Sequence, residues 1–299
     1  PPDFGPWATS TPEAQGMSKS RLETAPSTLA NGMGRMIVIR NGYDVWHYGG
    51  DPYSTRTWWA SCGRSFMTMM FGEMIMEGII AGGTEAVERP VNFIRCAEAN
   101  IFSSDTLLKH LLSYTSCATP PGSSYKYHCN YFSIYRIVEQ LDGQKPGIRL
   151  VNMGKKIGAD WKEHLWGGHN DPGGSPFLSI TSTEADAARW GYLWMNKGHW
   201  QGRVFVPEWY VNRSLEPMPS PNGGYADKNE GWQIHTNWGG GYGNIIPRDA
   251  FWKTGGGKRL IFACPSLRLV FAQSIDAGYT VQATAEAIIK CIVDTPAKP

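Results

Sequence analysis

Residues 58–78 read Trp58-Trp59-Ala60-Ser61-Cys62-Gly63-Arg64-Ser65-Phe66-Met67-Thr68-Met69-Met70-Phe71-Gly72-Glu73-Met74-Ile75-Met76-Glu77-Gly78. From Ser65 to Gly78 apolar residues fall nearly all round a helical projection, which predicts a helix buried on every side. Its five methionines (67, 69, 70, 74 and 76) suit core filling better than a soft-metal site. The apolar run 66–80 is short, and Glu73 and Glu77 interrupt it, so it does not read as a membrane span. Ser61 stands where this helix opens, facing the positive end of the helix dipole.

Outward from this stretch, two strand patterns precede the helix, residues 35–40 and 45–48, around Asn41-Gly42. Asn-Gly between apolar runs is a strong hairpin signal. A second pair lies near the other end, residues 259–264 and 268–274, joined by Pro265-Ser266-Leu267. Helical patterns occupy 106–112, 131–141 and 182–196, the last with Ser182 as expected N-cap and Glu184 in its first turn. A short helix at 18–24 begins the chain and a helical pattern over 283–293 ends it, with Gly-rich loops at 166–174 and 238–243. Strands from both ends predict one antiparallel sheet with a helical insertion, an α+β architecture and not a Rossmann alternation. The expected organisation is a single unit, 1–299, with 1–60 and 245–299 as the sheet region and 61–244 mainly helix and loop. No internal repeat is evident.

Composition narrows the function. Of 299 residues 18% are charged, the net charge is +2 and 41% are hydrophobic, which excludes a disordered chain. The 28 Lys and Arg are scattered, which excludes a strongly basic nucleic-acid binder. Neither a nucleic-acid nor a membrane partner is expected, and the oligomeric state has no sequence signal. The six cysteines (62, 96, 117, 129, 264 and 291) form no C-x-x-C pair and read as buried free thiols. His164, His169 and Asp171 read as ordinary loop residues, since H-x4-H-x-D is a weak metal spacing. The Asn212-Arg213-Ser214 sequon carries little information. The opening Pro1-Pro2, without Met, is expected of a processed N-terminus.

Three short motifs occur in order: Ser61-Cys62-Gly63-Arg64, Tyr127-His128-Cys129-Asn130 and Lys253-Thr254-Gly255. A G-x-S-x-G elbow, a P-loop and H-E-x-x-H are all missing. Together the three resemble S-x-x-K, the Tyr-led Y-x-N triplet and K-T-G of the serine β-lactamase and penicillin-binding-protein superfamily. The branch they look most like holds class C β-lactamases, family VIII carboxylesterases and 6-aminohexanoate-dimer hydrolases. Residues 12–17, 107–116, 186–200 and 206–209 are similar to further family text, so the resemblance covers roughly residues 12–290.

The resemblance implies a β-lactamase/transpeptidase-like fold and a serine hydrolase that cleaves a small ester or amide through an acyl-enzyme. It implies a small-molecule substrate and no metal or organic cofactor, and it favours export over a cytoplasmic home. By resemblance, Ser61 is the nucleophile and Tyr127 the general base. Lys253 would hold Tyr127 towards phenolate and attract a polar or anionic substrate group. The backbone N–H groups of Ser61 and Gly256 would form the oxyanion hole. Trp58, Trp59, Cys129, Asn130, Trp252, Thr254 and Gly255 would line the substrate.

Several positions depart from the family pattern. Arg64 replaces the S-x-x-K lysine, and an arginine cannot give up its proton to act as a base. It can act on Tyr127 only as a fixed positive charge. Three readings stand side by side. Tyr127 works alone as base; or the site has been redirected, for example to a carbohydrate-active role in which Arg64 forks onto a substrate carboxylate; or the chain binds ligand without turnover, or carries an engineered arginine. Cys129 stands at the Asn of Y-x-N, or that Asn is displaced to Asn130, which favours an esterase or amidase over a β-lactamase. Tyr125 is the alternative to Tyr127 if the register is shifted. Cys117 replaces a family glycine, and Cys62, Cys117 and Cys129 are expected as inert thiols near the pocket, more than as reactive or disulfide-bonded ones. For a single tryptophan core packing is the ordinary expectation. As a group, Trp58, Trp59, Trp166, Trp232, Trp238 and Trp252 suggest an aromatic cleft.

Overall fold

The computed structural model describes residues 5–29, 33–127, 129–166, 177–217, 232–274 and 280–293. In chain order they form α1 (Lys19–Thr24), β1 (Arg35–Arg40), β2 (Tyr43–Tyr48), β3 (Thr57–Trp58), α2 (Gly63–Met76), α3 (Leu108–Leu112), α4 (Tyr131–Asp142) and α5 (Pro146–Lys156). Then follow β4 (Lys162–Trp166), β5 (Phe177–Ser182), α6 (Glu184–Met195), β6 (His199–Trp200), β7 (Arg203–Val204) and α7 (Glu208–Leu215). The last elements are β8 (His235–Thr236), β9 (Phe251–Gly255), β10 (Arg259–Cys264), β11 (Leu269–Ser274) and α8 (Val281–Ile289).

The main sheet runs β2-β1-β11-β10-β9-β8 with every neighbouring pair antiparallel. Asn41 and Gly42, with φ of 53° and 85°, make the β1–β2 turn, as a two-residue loop matched to strand twist requires. Strands β1, β10 and β11 are buried on both faces, so they read as continuous apolar runs rather than alternating ones. Ile37, Ile39, Ile261, Ala263, Val270 and Ala272 face the core shared with α6 and the helical region. Met36, Val38, Leu260, Phe262, Leu269 and Phe271 face a second core, closed by Leu22 of α1 and by Ala285 and Ile288 of α8. The architecture is α+β, with the sheet between helices.

Helix α2 sits at the centre of the helical region, buried from Gly63 through Ile75. Glu73 is accommodated there because it accepts from Arg149 at 2.6 Å and Lys156 at 2.7 Å. Arg149 also reaches Glu77 at 2.9 Å and grips both carboxylate oxygens of Asp142 at 2.6 and 2.7 Å. The two glutamates that interrupt the apolar run are thus the attachment of α2 to α5.

Some expectations need correction. Ser182 ends β5, paired with Thr57, and Thr183 caps α6 instead, its hydroxyl accepting the Asp186 N–H at 3.2 Å. Helices α5 and α7 and a second sheet, β3-β5-β4, were not anticipated, and β8 joins the main sheet from within the region read as helix and loop. Lys253-Thr254-Gly255 forms the end of β9, directly ahead of β10. Residues 167–174, with His169 and Asp171, fall outside the described residues. Among the described residues no helix is long and apolar enough to cross a membrane, and no cluster of His, Cys, Asp and Glu could hold a metal.

Candidate active site

Ser61 occupies a 3-10 turn, Ala60–Cys62, that runs directly into α2. Ala60 takes φ 47°, a left-handed conformation that costs a non-glycine residue energy and gathers at functional sites. Its carbonyl is held by the Ser179 hydroxyl at 2.6 Å, while the Trp59 N–H donates to the Ile180 carbonyl at 2.9 Å. Glycine at 63 is a steric necessity, since a Cβ there would lie 2.5 Å from the Leu178 carbonyl oxygen of β5. Glycine at 255 has the same origin. A Cβ there would sit 2.4 Å from the Trp59 carbonyl and 3.3 Å from the Ser61 nitrogen. The end of β9 therefore lies against the Ser61 backbone, which brings the Gly255-Gly256 turn beside it.

The Tyr127 Oη is 2.8 Å from the Ser61 Oγ. Tyr125 is stacked on Tyr114 with centroids 6.5 Å apart. One helical turn beyond Ser61, as the second residue of α2, Arg64 is 1% exposed. Its guanidinium carbon is 3.7 Å from the Tyr127 ring centroid, and 5.3 and 5.5 Å from those of Tyr114 and Tyr131, within cation–π range. Burial pushes the Tyr114 and Tyr131 hydroxyls well above the usual phenol range, against the opposing pull of Arg64. Both are therefore neutral. Tyr131 spends its hydroxyl on β5, donating to the Leu178 carbonyl at 2.9 Å and accepting the Leu178 N–H at 3.0 Å.

Lys253 is buried on β9, paired with Ile261 of β10. The Cys62 thiol donates to the Lys253 carbonyl at 3.6 Å. Burial pushes that thiol up to about 12 despite the nearby cations Lys253 and Arg259, so Cys62 is a protonated, inert neighbour of Ser61.

Among solved structures the chain is similar, over nearly its whole length, to a penicillin-binding-protein homologue from Caulobacter crescentus. The two share 15% identity over 95% of this chain and 98% of that one, with a TM-score of 0.67. A β-lactamase from Mycobacterium bovis gives 16% identity, 91% and 98% coverage and a TM-score of 0.62. For a family VIII carboxylesterase the values are 12%, 95%, 98% and 0.63. The chain has the serine β-lactamase/penicillin-binding-protein fold. No protein-family model and no curated protein matches it in sequence.

Within this β-lactamase-like fold, the remaining expected site residues separate into two groups. Thr254 is half-buried, its hydroxyl 3.5 Å from the Nε2 of His235. Trp58 is half-buried between His164, stacked at 5.2 Å, and the Arg259 guanidinium, 5.7 Å from its ring. Asn130, at φ 49°, donates from Nδ2 to the Ser116 hydroxyl at 2.9 Å. Cys129 is buried and disulfide-bonded to Cys117, which corrects the free-thiol reading for this pair. The other four cysteines are free.

Trp59 and Trp252 do not wall the site. Trp59 is fully buried with its indole N–H on the Ser182 carbonyl at 3.2 Å. Trp252 packs on the opposite face of the sheet, against Tyr242 and Phe262. Strand alternation explains the second case, because neighbours on one strand point to opposite faces and Lys253 takes the site side. Trp232 is core packing against Tyr210. Trp238 is 61% exposed and lines a different cavity with Trp194, Leu215 and Phe251. The Trp166 side chain lies outside the described residues. Of the expected aromatic cleft, Trp58 is the described tryptophan that remains close to the nucleophile segment. Tyr114, His164 and Arg259 were missed. The hairpin register that pairs Arg259 with Gly255 is the signal that could have found the last.

Proposed function

We propose that the chain is a serine hydrolase cleaving a small ester or amide through a Ser61 acyl-enzyme. The observation that carries this reading is the 2.8 Å approach of the Ser61 and Tyr127 hydroxyls, with a buried arginine against the tyrosine ring. Tyr127 takes the serine proton as Ser61 attacks the carbonyl, then returns it to the leaving group. The Ser61 and Gly256 N–H groups stabilise the oxyanion, each donor contributing about 3–4 kcal/mol in comparable chemistry. Water resolves the acyl-enzyme by the same proton relay in reverse.

Arg64 supplies a fixed positive charge that stabilises negative charge developing on Tyr127, and Lys253 supplies a second cation on the substrate side. Arg64 is 1% exposed, out of reach of a substrate carboxylate that would need to fork onto it, so the carboxylate-recognising role for Arg64 loses its support. At the Asn position of Y-x-N, the Cys129 sulfur is tied up in a disulfide and cannot donate to a β-lactam amide carbonyl. Ester or simple amide substrates fit better.

A fluorophosphonate probe and p-nitrophenyl butyrate test the proposal. Labelling and turnover are expected in the unaltered chain and are expected to vanish in Ser61→Ala. Tyr127→Phe should lower kcat by roughly 10²–10⁴-fold. A wild-type chain that neither labels nor turns over would sink the reading.

A further inference from the structure

The segment between α3 and α4, residues 113–130, contains no helix or strand among its described residues, yet it carries Tyr127. Among the interactions that tie it down are the Lys126 N–H to the Tyr114 carbonyl at 3.0 Å, the Gly122 N–H to the Thr115 carbonyl at 3.0 Å, Asn130 to Ser116 at 2.9 Å, and the Cys117–Cys129 bond. The disulfide closes a loop with a sequence separation of 12 that contains Tyr127 two positions from its end. Tyr127 itself is 42% exposed; the Arg64 guanidinium packs on its ring and the Ser61 hydroxyl meets its Oη, and the disulfide closes the loop whose backbone presents it to them.

The two sulfurs are not equivalent. Cys117 is exposed and Cys129 is buried. The Cys129 Sγ accepts the Cys117 backbone N–H at 2.8 Å and lies 3.2 Å from the Ser116 hydroxyl. A sulfur that accepts such donors is the better leaving thiolate in exchange, while the accessible sulfur is the one an external thiol attacks. Cys62, protonated and bonded to the Lys253 carbonyl, does not compete as an internal nucleophile.

We propose that Cys117–Cys129 is an exchange site for small thiols, and that its state sets whether Tyr127 is held against Ser61. The regulatory half rests on the hydrolase reading above; the exchange half does not. In the first step a small thiol loses its proton, and its thiolate forms a bond to Cys117 Sγ as the Cys117–Cys129 bond breaks. The electron pair leaves on Cys129, which takes up a proton. A second small thiolate then attacks the small-molecule sulfur of the mixed disulfide. It releases the oxidised small disulfide and leaves Cys117 as a thiol. Two small thiols are oxidised and one protein disulfide is reduced.

The test treats the full folded chain with reduced glutathione, followed by reoxidation. After an acid quench and unfolding, iodoacetamide with peptide mass spectrometry should find the four free cysteines without glutathione treatment and Cys117 and Cys129 in addition after it, with a transient glutathione adduct on Cys117. Hydrogen exchange across 113–130 should accelerate. Turnover of p-nitrophenyl butyrate should fall at least about tenfold in kcat with a smaller change in KM, as displacement of a catalytic group predicts, and should recover on reoxidation. A Cys117→Ser/Cys129→Ser double variant, checked for native circular dichroism, should stay at the reduced level and ignore glutathione. If that variant does not fold, Cys117→Ser alone serves. Failure of the bond to reduce in the folded chain overturns the proposal, and so does a reduced chain with unchanged exchange at 113–130 and unchanged kcat. A chain inactive in both states defeats the hydrolase reading instead, and the glutathione adduct and hydrogen exchange then decide the exchange site by themselves.

Discussion

At position 64 the difference between lysine and arginine is a difference in what the proton can do. Arg64 stays charged and sets its guanidinium carbon 3.7 Å from the Tyr127 ring centre, with a delocalised charge that a compact lysine ammonium does not reproduce. Arg64→Lys should therefore lower ester turnover by about tenfold or more and cost roughly 1–3 kcal/mol of stability, because three tyrosine rings lose a close-packed partner. Steady-state kinetics and denaturant titration would measure both, and a rise in turnover would show that Arg64 restrains the chemistry. A second residue-scale expectation concerns His47. Its hydrogen bond to Asp44, at 2.5 Å, raises its pKa above 6.5. A raised folded-state value stabilises fully below about pH 6.5 and is lost as pH rises through the folded pKa. The thermal midpoint should fall across that interval in the unaltered chain, and His47→Gln should flatten the dependence. The sequence placed Ser61, Arg64 and Tyr127 in a shared motif set. That Arg64 is stacked beneath Tyr127 and enclosed by Tyr114 and Tyr131 depends on three segments meeting, which no local pattern encodes.

At the scale of elements, α2 is positioned by what it lacks. Gly63 admits the backbone of β5 and Gly72 admits Val206 and Tyr210, where a Cβ would lie 2.6–2.8 Å from their side-chain atoms. Gly63→Ala should cost roughly 1–3 kcal/mol and shift Ser61 relative to Tyr127, so that turnover falls together with the denaturation midpoint. A variant with unchanged stability would mean that β5 can retreat. The hairpins and α2 were readable because turn chemistry and apolar periodicity are local. The cap of α6 was misread by one residue because Ser182 is drawn into the β3–β5 pairing, a tertiary demand that overrides its own capping propensity. Strand β9 escaped because its burial comes from partners on both sides, β8 and β10.

At the scale of the molecule, the sheet joins both ends of the chain, and the core on its α6 face is continuous with that of the helical region. Unfolding should therefore be a single cooperative transition, with calorimetric and van't Hoff enthalpies in agreement; two resolved transitions would show that the helical insertion unfolds by itself. What the sequence determined by itself was the α+β order of elements, the buried helix behind Ser61 and the succession of the three motifs, all properties of residues within a turn or two of one another. Which tryptophans are core, which cysteines pair, and that oxygens 66 positions apart in sequence meet at 2.8 Å emerge from the packing of the folded chain. The physical reason is separation along the chain. Side-chain facing, disulfide closure and the Arg64 enclosure are set by the packing of distant segments, and periodicity carries no record of those distances.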